Sequence, residues 1–291
     1  MGNVARLEYL LCQSGSAKAR EAAALVEEGL TGNAGLPIED LLRPLLTQVS
    51  YSRCLTADAI GDWEVKGRKF YIPKFHFQRT NVVKDRIKVG VFAGIHGDEP
   101  AGILGLMDFV RELDEEPESG RSFELFLYPL CNPTGYLAKT RESSAGIDLN
   151  REFWRDSKEP EVLALEAEIH AHKFDGMIAL HSDDTCHGFY GYARGSVLAE
   201  NLLAPALVAA EQAQRRDARG VIDGFKAVNG IIHDAFDGIL SAHPSQKPQP
   251  FEIILETNAL TPISDQRRVF ALALKSILAG YREMIAFGGE L

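Results

Sequence analysis

Residues 87–113 read IKVGVFAGIHGDEPAGILGLMDFVREL. Ile87–Ile95 is an apolar run of strand length, Gly94 and Gly97 allow the backbone to bend, and Pro100 opens the helix-like segment Pro100–Leu113. A strand running through a glycine-rich bend into a helix is the repeating unit of an α/β domain. The alternation continues on both sides. Lys69–Phe77 reads as extended, and Phe123–Leu130, Gly176–Leu180 and Phe251–Glu256 follow as further strands. Glu159–Lys173, Ser196–Arg219 and Ser264–Phe287 read as helices, so the expected sheet is largely parallel or mixed. Ser241–Pro250, rich in Pro, Ser and Gln, is the least regular stretch. In open α/β sheets ligands bind beyond the carboxyl ends of the strands. His96, Asn132, His181 and Glu256 each fall at such an end, which predicts four polar groups converging on one rim.

Upstream of this pattern, Ala17–Leu30 is rich in Ala, Glu and Leu, and Ile38–Val49 is a second apolar-periodic run interrupted by Pro44. Neither carries recognisable chemistry. The expected organisation is a helical N-terminal extension over 1–49 and one large domain over 50–291.

A chain of 291 residues with 45% hydrophobic content can bury a substantial core. Acidic residues outnumber basic ones, 41 to 31, for a formal charge of -10, and Lys and Arg are not clustered. This argues against nucleic-acid or anionic-membrane partners. Met1–Leu11 lacks the features of a secretory signal and no apolar run is long enough to span a bilayer, so a cytoplasmic location is expected. Cys12, Cys54, Cys131 and Cys186 lie far apart without a CxxC pair and read as reduced packing thiols.

His96 and Glu99 lie three residues apart on the turn leaving a strand, where an imidazole and a carboxylate can reach one ion. Such pairs also arise by chance; a strand-end His beside a dipole-favoured helix-starting Glu is the plain alternative. His181, after the short run Met177–Leu180, would complete a His2Glu set. Three ligands and an open position suit catalytic zinc, whereas structural zinc is closed by four. Glu256 ends an apolar strand, where partial burial raises a carboxyl pKa towards a general-base value; a rim carboxylate paired with Lys or Arg is the other possibility. Glu252 shares its face but lies deeper or at the opposite end, and is the poorer catalytic candidate. Arg141 and Arg151 suit an oxyanion or a carboxylate, or are surface ion partners. His170 and His172 point to different helix faces, His76 alternates with aromatic residues on a strand, and His187, His233 and His243 have no partner at a ligand-like spacing, although His187 and His233 could still touch substrate.

The order HGDE, NPTGY, KTR, DLNREF, LHS, then an apolar strand ending in Glu, resembles the zinc carboxypeptidase family of carboxypeptidase A, and its sister branch, the succinylglutamate desuccinylase/aspartoacylase deacylases. The resemblance covers roughly residues 50–287. It implies one domain with a mixed, mostly parallel eight-stranded sheet between helices. It also implies one zinc ion on His96, Glu99 and His181, Arg141 at the substrate carbonyl and oxyanion, and Asn150 and Arg151 on a substrate carboxylate. Glu256 would be general base and then general acid, without a covalent intermediate, so Cys186 is not expected to be a nucleophile. Two departures stand out. Digestive carboxypeptidases carry a Tyr on the segment leading to the catalytic Glu, whereas no Tyr occurs here between Tyr192 and Tyr281. The His96–His181 interval is compact, as in the deacylase branch, while LHS is closer to the carboxypeptidases. The expected substrate is a small peptide or N-acyl amino acid; a non-catalytic metal-binding homologue is the remaining possibility.

Overall fold

A computed structural model describes residues 36–79, 86–195 and 197–288; the helical reading of Ala17–Leu30 lies outside them. Helix α1 (Ile38–Val49) runs through Pro44 and buries Leu41, Leu42, Leu45 and Leu46 in the main core. Strands β1 (Leu55–Val65) and β2 (Arg68–Gln78) form a hairpin. Its turn residues Lys66 and Gly67 both have positive φ, matching the twist of the flanking strands. The unit quoted above follows as β3 (Ile87–Ala93) and α2 (Pro100–Glu115), then β4 (Phe123–Tyr128), the short α3 (Pro133–Ala138), α4 (Pro160–His172) and β5 (Gly176–Asp183). The chain continues through β6 (Tyr190–Arg194), α5 (Val197–Ala210), β7 (Val221–Ile222), β8 (Phe225–Val228), β9 (Ile231–Ile232), β10 (Phe251–Asn258) and α6 (Ile263–Gly288).

The sheet has ten strands in the order β1-β2-β4-β3-β5-β10-β6-β9-β8-β7. Eight have four residues or more, and β7 and β9 add two-residue ladders. β4, β3, β5 and β10 are mutually parallel at the centre; β1 and β2 run antiparallel to their neighbours, and β6 is antiparallel to β10 but parallel to β9. Helices cover both faces of this mixed sheet. Strand parity assigns side chains to layers. Phe251, Ile253 and Leu255 of β10 join Ile178 and Leu180 of β5 in the core that holds α1, α2, α5 and α6 residues. Phe92 and Met177 face the opposite core with Val162, Leu165 and Ile169 of α4.

One element departs from expectation: the helix predicted over 196–219 ends at Ala210. The polar text beyond it has helical propensity, but its side chains and backbone are taken by the sheet. Phe189 donates its N–H to Arg215 O, Asp217 returns a bond to Phe189 O, and Gln214 Oε1 accepts from Thr257 Oγ1. Tertiary hydrogen bonds outweigh a weak local preference.

Candidate active site

β3 ends at Ala93, and Gly94 turns the chain with a φ of +62°. Gly97 packs so tightly that a Cβ there would lie 2.0 Å from the Gly135 carbonyl carbon. This contact seats the His96–Glu99 turn on α3. Asn132 fixes the same corner, accepting from Gly135 N–H and donating to the carbonyls of Ile95 and Arg141. Glu99 precedes α2 but makes no cap hydrogen bond to it. Its carboxylate turns inward: Oε1 is 2.6 Å from His96 Nδ1, and Oε2 is 3.2 Å from His181 Nδ1 and accepts from Ser182 N–H. His181 lies within β5, beside Glu256 across the parallel ladder, rather than beyond the end of a short strand.

His96, Glu99 and His181 are all buried, and their donor atoms lie within 4.8 Å of one another. The two Nδ1 atoms are 3.2 Å apart. Donors on a tetrahedral ion at zinc-like bond lengths sit about 3.3 Å from one another, so two imidazole nitrogens and a carboxylate oxygen at this spacing fit a divalent cation. Burial opposes charging His96, yet Glu99 and Asp148 together raise its pKa; burial dominates at His181 and lowers it. The carboxyl of Glu99 would rise on burial but is held well below the usual range by the two imidazoles.

Around this trio stand three further side chains. Arg141 brings Nη1 to 3.1 Å from His96 Nδ1 and 3.5 Å from Glu99 Oε1, and donates Nε–H to Asp148 Oδ2 at 3.1 Å. Asp148 Oδ1 lies 3.2 Å from His96 Nε2 and accepts from Asn150 N–H. Asp148 thus fixes the ring of one donor and the fork of the neighbouring arginine. Glu256 projects from β10 into the same cleft, its carboxylate making no hydrogen bond or ion pair among the described residues. Burial first, then the charges of Glu99, Asp183 and Asp223, push its pKa well above the ordinary carboxylate range.

The cleft encloses about 580 Å³ and is lined by all seven predicted residues: His96, Glu99, Arg141, Asn150, Arg151, His181 and Glu256. Also on its lining, Arg151 makes no ion pair among the described residues; Nη1 donates to Asn150 O at 2.7 Å, and the guanidinium carbon lies 4.4 Å from the Phe236 ring centroid. Asn150 Oδ1 is occupied by Leu240 N–H, leaving its Nδ2 for a ligand. Tyr190 and Tyr192 form a wall and donate their hydroxyls to Asp183 and Asp223.

Several expectations are sorted by geometry. Glu252 accepts from Ala242 N–H at the far end of β10 and does not line the cleft. His187 and His233 do not line it either; His233 sits 3.7 Å from Glu200. Cys186 is buried, donates to Asp183 O, and burial pushes its thiol up to about 12, which suits packing and not nucleophilic attack. The sequence reading missed Asp148, although it stands in the DLNREF motif. It also missed Tyr190, Tyr192, Asp223 and Phe236, which carry no local sequence signal.

Residues 85–216 match the succinylglutamate desuccinylase/aspartoacylase catalytic domain, a segment that includes every candidate site residue except Glu256. No curated protein matches the chain. Among solved structures, a candidate metallopeptidase from Shewanella denitrificans is 24% identical, with a TM-score of 0.68 over 83% of this chain and 89% of that one. A metallo-carboxypeptidase from Pseudomonas aeruginosa in complex with (2-guanidinoethylmercapto)succinic acid is 20% identical, with a TM-score of 0.60 over 82% and 68%. Carboxypeptidase A from Helicoverpa armigera is 16% identical, with a TM-score of 0.63 over 91% and 80%. The chain therefore has the zinc carboxypeptidase-like fold and resembles that family close to the desuccinylase/aspartoacylase branch. No helix among the described residues is long and apolar enough to cross a membrane.

Proposed function

We propose that this protein is a metal-dependent hydrolase that cleaves an amide bond next to a free carboxylate, with one zinc ion held by His96, Glu99 and His181. The observation that carries this reading is the convergence, in one cleft, of three buried donors, the unpaired carboxylate of Glu256 and the Arg151 guanidinium. When bound, the metal supplies Lewis acidity, lowering the pKa of a water and polarising a carbonyl oxygen. Glu256 takes the proton from the attacking water and returns it to the leaving nitrogen; its raised pKa suits both transfers. Arg141, held by Asp148, offers Nη donors to the developing oxyanion. Arg151 and the free Nδ2 of Asn150 orient the substrate carboxylate.

Glu256→Gln keeps the metal donors and removes the proton carrier, so bound zinc should be unchanged while kcat falls by roughly 10²–10⁴. Turnover persisting in that variant would refute the role of Glu256. The matching 85–216 segment favours a second reading on the same machinery, a deacylase of N-acyl amino acids. A panel of N-succinyl and N-acetyl amino acids beside carboxy-terminal dipeptides separates the two by kcat/KM. Protein purified without chelator that holds no metal and hydrolyses neither class would leave only a non-catalytic homologue.

A further inference from the structure

We infer that Phe236 is a positioning residue of the carboxylate subsite, holding the Arg151 guanidinium in the plane that receives the substrate anion. This rests on Arg151 binding that anion. An arginine side chain is long and flexible; Asp148 feels the charge of this one, but no acidic group among the described residues pairs with it at salt-bridge distance. Its contacts are the Asn150 carbonyl and the Phe236 ring, over which its central carbon lies at 4.4 Å. A cation over the face of an aromatic ring is attracted to it, which restrains the sweep of the side chain while leaving N–H donors for a carboxylate, the partner that the guanidinium fork pairs with through two parallel hydrogen bonds.

Phe236 is itself fixed. Its ring meets Phe225 edge-on at 4.9 Å and 74°, and Phe225 meets Tyr192 at 6.3 Å and 81°. The backbone around it is fastened to the segment that bears Arg151. Leu240 N–H donates to Asn150 Oδ1 at 2.8 Å, and Phe153 N–H donates to Gly238 O at 3.0 Å. Gly238, with a φ of +72°, approaches so closely that a Cβ would lie 2.2 Å from Arg151 O. Arginine and ring therefore belong to one clamped unit, although they come from distant parts of the chain. Phe236 remains 39% exposed at the cleft, so its replacement opens little core.

The test uses zinc-loaded full-length protein, one turned-over substrate with a free carboxylate, and the same compound with that carboxylate amidated. Phe236→Ala should raise KM for the carboxylate form roughly fivefold with kcat nearly unchanged, and leave the amide form unaffected. Phe236→Trp should restore the wild-type KM, whereas Phe236→Leu, apolar but without a π face, should not. Calorimetric binding of succinate to the same variants should follow the same order, and unchanged melting temperatures would exclude a folding cause. An unchanged KM in Phe236→Ala, an equal rise for the amide, or full function in Phe236→Leu overturns the assignment of Phe236 alone. A wild-type enzyme indifferent to amidation overturns Arg151 as the anion site, and the inference with it.

Discussion

Asp148→Asn tests how the proposed metal donors and Arg141, the proposed oxyanion donor, are coupled. The carboxylate faces His96 Nε2 at 3.2 Å and Asn150 N–H at 2.9 Å through Oδ1, and Arg141 Nε–H at 3.1 Å through Oδ2. With the Nε2 proton engaged, Nδ1 is left as the lone-pair nitrogen aimed at Glu99 and His181. Asparagine preserves the shape but has one oxygen. If that oxygen stays towards His96 and Asn150, the amide NH₂ meets the Arg141 Nε–H donor. If the amide flips, two donors oppose its NH₂ instead. Either arrangement leaves a partly buried donor unsatisfied and releases one of the two groups. Losing such an outer hydrogen bond typically costs 10–100-fold in metal affinity, about 1.4–2.7 kcal/mol. If Arg141 is instead the group that loses its anchor, kcat at saturating zinc should fall by roughly tenfold or more. A zinc competition titration with a chromophoric chelator, followed by kinetics at saturating metal, separates the two effects. Zinc affinity and metal-saturated kcat both within about twofold of wild type would refute the coupling.

Gly97→Ala places a methyl 2.0 Å from the Gly135 carbonyl carbon and 2.1 Å from Tyr136 N, both backbone atoms that cannot rotate away. The variant should lose about 1–3 kcal/mol in urea denaturation and bind zinc more weakly, since the strained turn carries His96 and Glu99. An unchanged urea midpoint would show that the turn relaxes freely. Asp217 predicts acid sensitivity away from the site. Burial alone would raise its carboxyl, but the Arg219 guanidinium and the N–H groups of His187 and Arg219 pull it down to about 2. A folded-state pKa below the unfolded value near 3.9 gives stability that is complete above about pH 4 and lost as pH falls through 2, roughly 2 kcal/mol in all. Asp217→Asn should flatten the stability profile over that window; an unaltered slope between pH 5 and 2 would contradict the pairing.

What the sequence disclosed depended on whether a residue's role was local. His96 and Glu99 were legible because the bend that presents them is encoded next to them, in Gly94, Gly97 and Pro100. His181 and Glu256 were legible as polar residues closing apolar runs. The strands continue past the apolar runs to Asp183 and Asn258, so both residues lie within strands and not past their ends. Phe236 was illegible because its role comes from Gly238 and Leu240 docking on the Asn150–Phe153 segment, a contact that no local pattern encodes. The predicted helix over 196–219 overran for a similar reason: the bonds of Gln214 and Asp217 to distant segments are invisible to propensity.

The link from fold to chemistry is strand register. Glu256 stands opposite His181 on the parallel ladder and opposite Tyr190 on the antiparallel one. Glu252, Ile254 and Glu256 share one face, while Phe251, Ile253 and Leu255 enter the core behind it. A one-residue slip of β10 would turn Glu256 into that core and bring Leu255 into the cleft, so the apolar side of the strand enforces the position of the Glu256 carboxylate. Gly176 fixes the start of the ladder: Phe251 sits directly over it, with a ring carbon 2.0 Å from where a Cβ would be. The Glu256 carboxylate is thereby placed beside His181 by hydrophobic packing at the opposite end of the strand.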